Sequence, residues 1–143
     1  MNYSANLEKL REKLTELKSD AILVAMNNFF GNFEDKLSGI GYISGFTGSN
    51  GRAIVSCDKA LLSVDGRYTK QASEQTDQKL WEVKSYPEFD TNALVSEVIN
   101  PGKTLAIGMF SITYKSYLSL LGLSNKIGFK LKLLDEFPLF SPK

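Results

Sequence analysis

The sequence contains no histidine. Its 143 residues include one cysteine and four prolines, and 17 basic side chains stand against 16 acidic ones. Without histidine, no Ser-His-Asp triad or Cys-His pair can form within the chain. Zinc sites of the HExxH or three-histidine kind are excluded as well. The single cysteine, Cys57, rules out an internal disulfide and any multi-cysteine zinc site. A net charge of +1 supplies no general attraction for nucleic acid or acidic lipid. Long apolar runs are missing too: the longest, Ala21–Met26, is far too short to span a bilayer. The polar start, Met1–Asn6, has no apolar signal-peptide core, so a cytoplasmic protein is expected, and the Asn2-Tyr3-Ser4 sequon is read as chance. What survives is carboxylate, lysine or tyrosine chemistry, an oxygen-only Mg²⁺ or Ca²⁺ site, or no catalysis.

What is present suits a folded domain. Hydrophobic residues make up 43% of the chain and charged residues 23%, which excludes a disordered polymer. A chain of this length buries roughly 70% of its unfolded surface and needs no disulfide or metal staple. One domain is the expectation.

Leu7, Leu10, Leu14 and Leu17 share one helical face, with Asn6 as a candidate cap and Lys18 suited to the C-terminal end. Ala21–Met26 reads as a strand buried on both faces. Asn27–Gly51 is rich in glycine and asparagine and predicts a long excursion with a short helix around Glu34–Tyr42. Arg52–Cys57 and Lys59–Val64 read as strands joined by a tight turn at Asp58-Lys59. Asp65 then caps a helix through Tyr68–Gln78, and Leu80–Tyr86 is a further strand. Asp90 or Thr91 caps a helix carrying Leu94, Val95, Val98 and Ile99, which Asn100-Pro101-Gly102 ends. Thr104–Met109 is a strand, Thr113–Leu121 a helix stopped by Gly122, and Phe129–Leu134 a last strand. Pro138 and Pro142 mark an exit. This alternation predicts an α/β layered fold, and the hairpin makes its sheet mixed.

Several residue groups are candidate sites. Gly45-Phe46-Thr47-Gly48-Ser49-Asn50-Gly51 is the most glycine-dense stretch, and consecutive N–H groups there could cradle a phosphate. The nucleotide signatures fail, because Ser44 stands where GxGxxG counted from Gly39 needs glycine, and no P-loop lysine follows. A tight structural loop is the simpler reading. Asp65-Gly66-Arg67-Tyr68 sets an acid, a cation and a phenol at a strand-to-helix junction, where Arg67 can grip a carboxylate with its planar fork. The plainer alternative has Asp65 capping the helix and Arg67 pairing with a local acid. Asp58, Asp65, Glu74 and Asp77 match no metal loop and read as a solvated face. Lys70, Lys79 and Lys84 read as surface charges, Cys57 as a packed small residue, and Trp81 as core. Aromatics between Phe29 and Phe46 become an interface candidate if exposed.

Tyr42-Ile43-Ser44-Gly45-Phe46-Thr47-Gly48-Ser49-Asn50-Gly51, followed by Ala60-Leu61-Leu62-Ser63-Val64-Asp65-Gly66-Arg67-Tyr68, closely resembles the N-terminal domain of Xaa-Pro aminopeptidases (aminopeptidase P, creatinase/prolidase superfamily). In that family a "Y(I/L)SGFTGSxG" loop leads into a strand, and a second strand ends in "TDGRY" before a helix. The opening helix and the Asp20–Val24 strand fit as well. Val64 departs from the usual threonine, and Asn27–Leu37 lacks the polar Asp/Glu/His-rich segment common there.

The resemblance implies a single three-layer α/β domain over 1–137, with a mixed, mostly parallel sheet flanked by helices, and the start of a linker over 138–143. It implies a parent enzyme that hydrolyses the bond before a penultimate proline. The catalysis belongs to a C-terminal domain absent from this chain, where two Asp, one His and two Glu hold two divalent metal ions, commonly manganese. This chain is then non-catalytic, without a metal ligand of its own, and helps form oligomers and wall the active-site entrance. Its implied partners are that catalytic domain, a further copy of the full-length chain and the parent's peptide substrate, with no nucleic acid and no membrane. Gly45, Phe46, Gly48, Ser49 and Gly51 match the loop, while Asp65, Gly66, Arg67 and Tyr68 match the strand-end motif. Asp65 and Arg67 are expected to fix these loops or face the partner domain. The rival reading is a stand-alone peptide- or protein-binding module on the same fold, with a nucleotide site at Gly45–Gly51 ranking third.

Overall fold

Asn2 starts the first helix in a computed structural model that describes residues 2–25, 37–48, 50–108 and 112–134, with 29–30 and 37–38 described by their backbone. Its Oδ1 accepts from the Ala5 N–H at 3.0 Å, satisfying one orphan donor of α1 (Tyr3–Glu16). Asn6, the expected cap, lies inside the helix and is buried. It donates from Nδ2 to the Tyr42 carbonyl at 2.8 Å, tying α1 to α2 (Gly39–Ser44). Of the two asparagines, the one outside the apolar stripe caps, and the one beside Leu7 and Leu10 crosslinks.

The strands are β1 (Ala21–Ala25), β2 (Phe29–Phe30), β3 (Leu37–Ser38), β4 (Arg52–Ser56), β5 (Ala60–Asp65), β6 (Glu82–Tyr86), β7 (Thr104–Gly108) and β8 (Lys130–Leu134). Among the described residues, β2 and β3 form a small ribbon, and the rest form one sheet in the order β6-β5-β4-β1-β7-β8. Only β4 runs against its neighbours, pairing antiparallel with β1 and β5. The remaining pairings, β5–β6, β1–β7 and β7–β8, are parallel. The sheet is therefore mixed and mostly parallel, as the alternating pattern and the hairpin together predict. The hairpin turn is closed by Ser56 N–H to the Lys59 carbonyl at 2.8 Å, and the Ser56 hydroxyl lies 3.0 Å from Asp58 Oδ1.

The alternation along β1 sorts its side chains to two layers. Ile22 and Val24 join Leu7, Leu10, Leu14, Ile40, Ile43, Phe46, Val55, Leu62 and Trp81 beneath α1, α2 and α3 (Thr69–Gln75). Ala21 and Leu23 join Ile54, Leu61, Leu94, Val95, Leu105, Ile107 and Leu120 beneath α4 (Thr91–Val98) and α5 (Tyr114–Ile127). Burial on both faces explains the unbroken apolar run of β1.

Several boundaries differ from expectation. The short helix lies at Gly39–Ser44 rather than Glu34–Tyr42; residues 34–36 are outside the described residues. The helix after Asp65 begins with a 3₁₀ turn, Gly66–Tyr68, and stops at Gln75. The strand starts at Glu82, since Leu80 and Trp81 turn inward to the core. Cys57 is exposed in the hairpin turn rather than packed. The Pro138 and Pro142 exit and the 138–143 linker lie outside the described residues.

Gly122 does not stop α5. The helix continues to Ile127, so that Leu123 and Ile127 extend the face begun by Leu120. It ends at Gly128, which adopts φ +93° and donates to the Ser124 carbonyl at 2.7 Å. A Cβ added at Gly122 meets nothing within 4 Å. Gly122→Ala is therefore expected to raise stability by about 0.5–1 kcal/mol through helix propensity and a less flexible unfolded chain. Urea unfolding checks this, and a loss of stability would contradict the placement of Gly122 inside the helix.

Candidate functional site

β1, β5, β6, β7 and β8 all point their carboxyl ends to one edge of the sheet, and β4 begins there. In open α/β sheets, ligands and partners engage that edge. The glycine loop precedes β4 and the Asp-Gly-Arg-Tyr motif follows β5, so the two sequence motifs meet at this edge.

Phe46 joins them. Its ring is fully buried and meets the Tyr68 ring edge-on, with centroids 6.3 Å apart. Gly45 turns the chain at φ +85°, where a Cβ would come within 2.9 Å of the Tyr3 ring. Gly48 lies against the Phe46 ring so closely that a Cβ would stand 2.2 Å from Cζ. At Gly51 a Cβ would sit 3.4 Å from Val64 and 3.5 Å from Phe46, an ordinary contact. Ser49 lies outside the described residues.

Thr47 staples the loop to α3. Its N–H donates to Gln75 Oε1 at 2.9 Å, and its hydroxyl accepts from Gln75 Nε2 at 2.9 Å and Gln71 Nε2 at 3.2 Å. The sequence reading passed over both glutamines, although their i, i+4 spacing on a helix offers the one available signal. The loop backbone bends around Phe46 and is held by the two glutamines.

Asp65 and Arg67 serve each other. Asp65 Oδ1 accepts from the Arg67 N–H at 3.0 Å and from Arg67 Nε at 3.2 Å, so the acid caps the 3₁₀ turn and pairs with the local cation. The Arg67 side chain is 78% exposed, and its guanidinium lies 5.5 Å from the Tyr68 ring centroid. Gly66 has open space around it. The Arg67 backbone N–H, and then its side chain, hold the Asp65 carboxyl below its usual 3.8. Because the folded value is the lower one, these bonds are complete above the usual value and are lost as pH falls through the lowered one. The Arg67 amide proton resonance is expected to move with a midpoint below 3.8, and a midpoint at or above it would contradict the cap.

Arg52, the first residue of β4, is marked by the sequence only as the start of a strand. Its guanidinium carbon lies 4.1 Å from the Tyr86 ring centroid, and Nη2 donates to Asn50 Oδ1 at 3.2 Å. Burial pulls its pKa below the ordinary guanidinium range, opposed by Tyr86 and then Asp90.

Asp58, Asp65, Glu74 and Asp77 do not gather. Among the described residues, no group of three or more His, Cys, Asp or Glu side chains can hold a metal ion. Lys70 and Lys79 are exposed, while Lys84 is largely covered, pairs with Glu82 and sits 4.6 Å from the Phe89 ring centroid. Trp81 is core, as expected. Of the aromatics between residues 29 and 46, Phe46 is core and Tyr42 packs against it, while the side chains of Phe29, Phe30 and Phe33 lie outside the described residues. No described helix is long and apolar enough to cross a membrane.

The profile of the creatinase/prolidase N-terminal domain matches residues 6–132. The chain belongs to that family. It is 34% identical over 130 residues to the Aspergillus flavus protein named "Probable Xaa-Pro aminopeptidase P", an alignment that covers 84% of this chain and 19% of that one. The creatinase/prolidase-like domain thus spans about a fifth of the length of such a relative. Its fold matches an X-prolyl aminopeptidase from Caenorhabditis elegans, described as a cytosolic enzyme with a di-nuclear active site. That match has a TM-score of 0.77 at 23% identity and covers 93% of this chain and 24% of the other. It also matches the separately solved N-terminal domain of the cytoplasmic peptidase PepQ from Mycobacterium tuberculosis. There the TM-score is 0.70 at 25% identity, with 91% and 92% coverage.

Proposed function

We propose that this chain is the non-catalytic N-terminal domain of a Xaa-Pro aminopeptidase. The observation that carries the reading is the family match over residues 6–132, combined with a span of only 19% of the Aspergillus flavus relative. The domain covers residues 1–137, and 138–143 begin the linker to a catalytic C-terminal domain. That domain would hold the two divalent ions, whose chemistry when bound would be to activate water for hydrolysis before proline. The donor set here does not fit such a centre, since the sequence has no histidine and the described carboxylates do not converge. No step of the hydrolysis is therefore assigned to this chain.

What the chain supplies is a rigid edge. Phe46, Gly48 and the Thr47 glutamine staple hold the glycine loop against α3, and Asp65 holds Arg67 beside it. β8 ends at the same carboxyl edge, on the far side of the sheet from these residues. The rigid edge supports a role in walling the entrance to the catalytic domain, so that only free N-termini enter, and in forming a dimer or higher oligomer of a cytoplasmic enzyme. Reading the coding sequence past codon 143 tests the proposal. A continuing frame carrying two Asp, one His and two Glu in metal-ligand order is expected. A stop codon would overturn it and leave a stand-alone binding module.

A further inference from the structure

Of the five large apolar side chains that stand exposed among the described residues, Tyr114, Leu118 and Leu133 lie on α5 and β8. Leu120, Leu123 and Ile127 mark the face of α5 that meets the sheet. Ser119 accepts from Asn92 Nδ2 at 2.9 Å and marks the flank that meets α4. At about 100° per residue, Tyr114, Tyr117 and Leu121 fall on the opposite flank and Leu118 on the outer face. α4 packs over β4 and α5 over β8, the last strand of the sheet, so this flank overhangs the sheet edge. Leu131 joins the core on the α5 side, and alternation puts Leu133 on the same face. α5 joins the parallel strands β7 and β8 and therefore runs against β8. Leu133 lies about 16 Å up the strand from Gly128, a height of roughly eleven helical residues, level with Tyr117 and Leu118. These side chains form one apolar patch along the β8 edge.

The surroundings of the patch carry one sign of charge. Residues 98–134 contain Lys103, Lys115, Lys126, Lys130 and Lys132 and no Asp or Glu. Lys115, Lys126 and Lys130 are exposed and form no ion pair among the described residues. A second copy seated on the patch by a two-fold axis would set lysine against lysine. The complementary chemistry, carboxylates followed by large apolar groups, comes next in the sequence as Asp135-Glu136-Phe137-Pro138-Leu139-Phe140. We propose that this segment is the occupant of the patch. It turns back from Leu134 as a strap, with its aromatic rings on Leu118 and Leu133 and its carboxylates in the field of the lysines. Lys115, near the start of α5, stands at the height where the segment begins. Three to six residues reach about 10–20 Å, enough to cross the width of one helix. Removing the patch from water offsets the entropy lost in ordering the strap. The strap belongs to this chain alone, whether or not a catalytic domain follows.

The test is nuclear magnetic resonance on the 143-residue chain. Nuclear Overhauser contacts are expected from the Phe137 and Phe140 rings to the Leu118 and Leu133 methyl groups. Asp135→Lys combined with Glu136→Lys should lower the ratio of docked to free strap about two- to fivefold, as suits exposed charge pairs. Leu118→Asp, at an exposed position, should abolish the contacts by removing an apolar anchor and adding a like charge. Unchanged Trp81 emission shows that the fold survives in each variant. Should a variant fail to fold, the wild-type contacts alone decide. A sample mixing isotope-labelled and unlabelled chains separates the strap from a second copy, and contacts between different chains would overturn the strap. Absence of the contacts in the wild-type chain, or their persistence unchanged in both variants, would overturn it as well.

Discussion

Phe46→Ala is expected to cost about 3–5 kcal/mol of folding stability, the range for emptying a fully buried aromatic site. Domains of this size have roughly 5–15 kcal/mol in total, so the variant should stand near the edge of unfolding. The ring has no exposed surface and is the contact through which the glycine loop meets Tyr68 of the strand-end motif. Its removal takes away apolar burial and leaves Gly48 without the ring it closes against. Urea unfolding followed by Trp81 emission gives the number. A loss below about 1 kcal/mol would mean the loop collapses into the space and that Phe46 does not pin the two motifs.

Gly48→Ala is the complementary test, adding one carbon where Phe46→Ala removes six. A Cβ there would lie 2.2, 2.8 and 2.9 Å from three atoms of the Phe46 ring. A flexible side-chain tip would step aside, but this ring is enclosed by core on one side and Tyr68 on another. Overpacking of this kind costs about 1–3 kcal/mol and at times more. Gly51→Ala, with its ordinary contacts, serves as the mild control. The decisive comparison is the double variant Phe46→Leu with Gly48→Ala. Because the clash is with the ring itself, the combined loss should fall short of the sum by about 0.5–3 kcal/mol. Strict additivity would place the cost in the backbone of the loop instead.

The parts of this account that were legible in the sequence are those in which local chemistry and burial agree. The leucines at positions 7, 10 and 14 mark one face of α1, and all three are core. The apolar run at Ala21 marks a strand covered on both faces, and the short polar interval at Asp58-Lys59 marks the hairpin. Asp65 reads as a cap and is one. The family also showed in the sequence, because two glycine-bearing motifs stand in order at the right separation.

Other features depended on distances between residues far apart in the chain. Asn2 and Asn6 are equally good caps by residue type, and only the position of Tyr42 across the interface assigns Asn6 to a crosslink. Gly122 and Gly128 are both helix stops by type. The difference lies in the packing of Leu123 and Ile127, which carries the helix past the first glycine. Arg52 over Tyr86 spans three strands, and no local periodicity encodes that reach. Cys57 follows an apolar strand, yet one residue of turn brings it to solvent.

The central claim is that this domain supplies structure, and no hydrolysis, to a Xaa-Pro aminopeptidase. The most direct test incubates the purified 143-residue chain with an Xaa-Pro peptide and Mn²⁺ and follows release of the first residue. The account predicts release no faster than with Mn²⁺ alone. Saturable, metal-dependent release that co-purifies with the chain would contradict it.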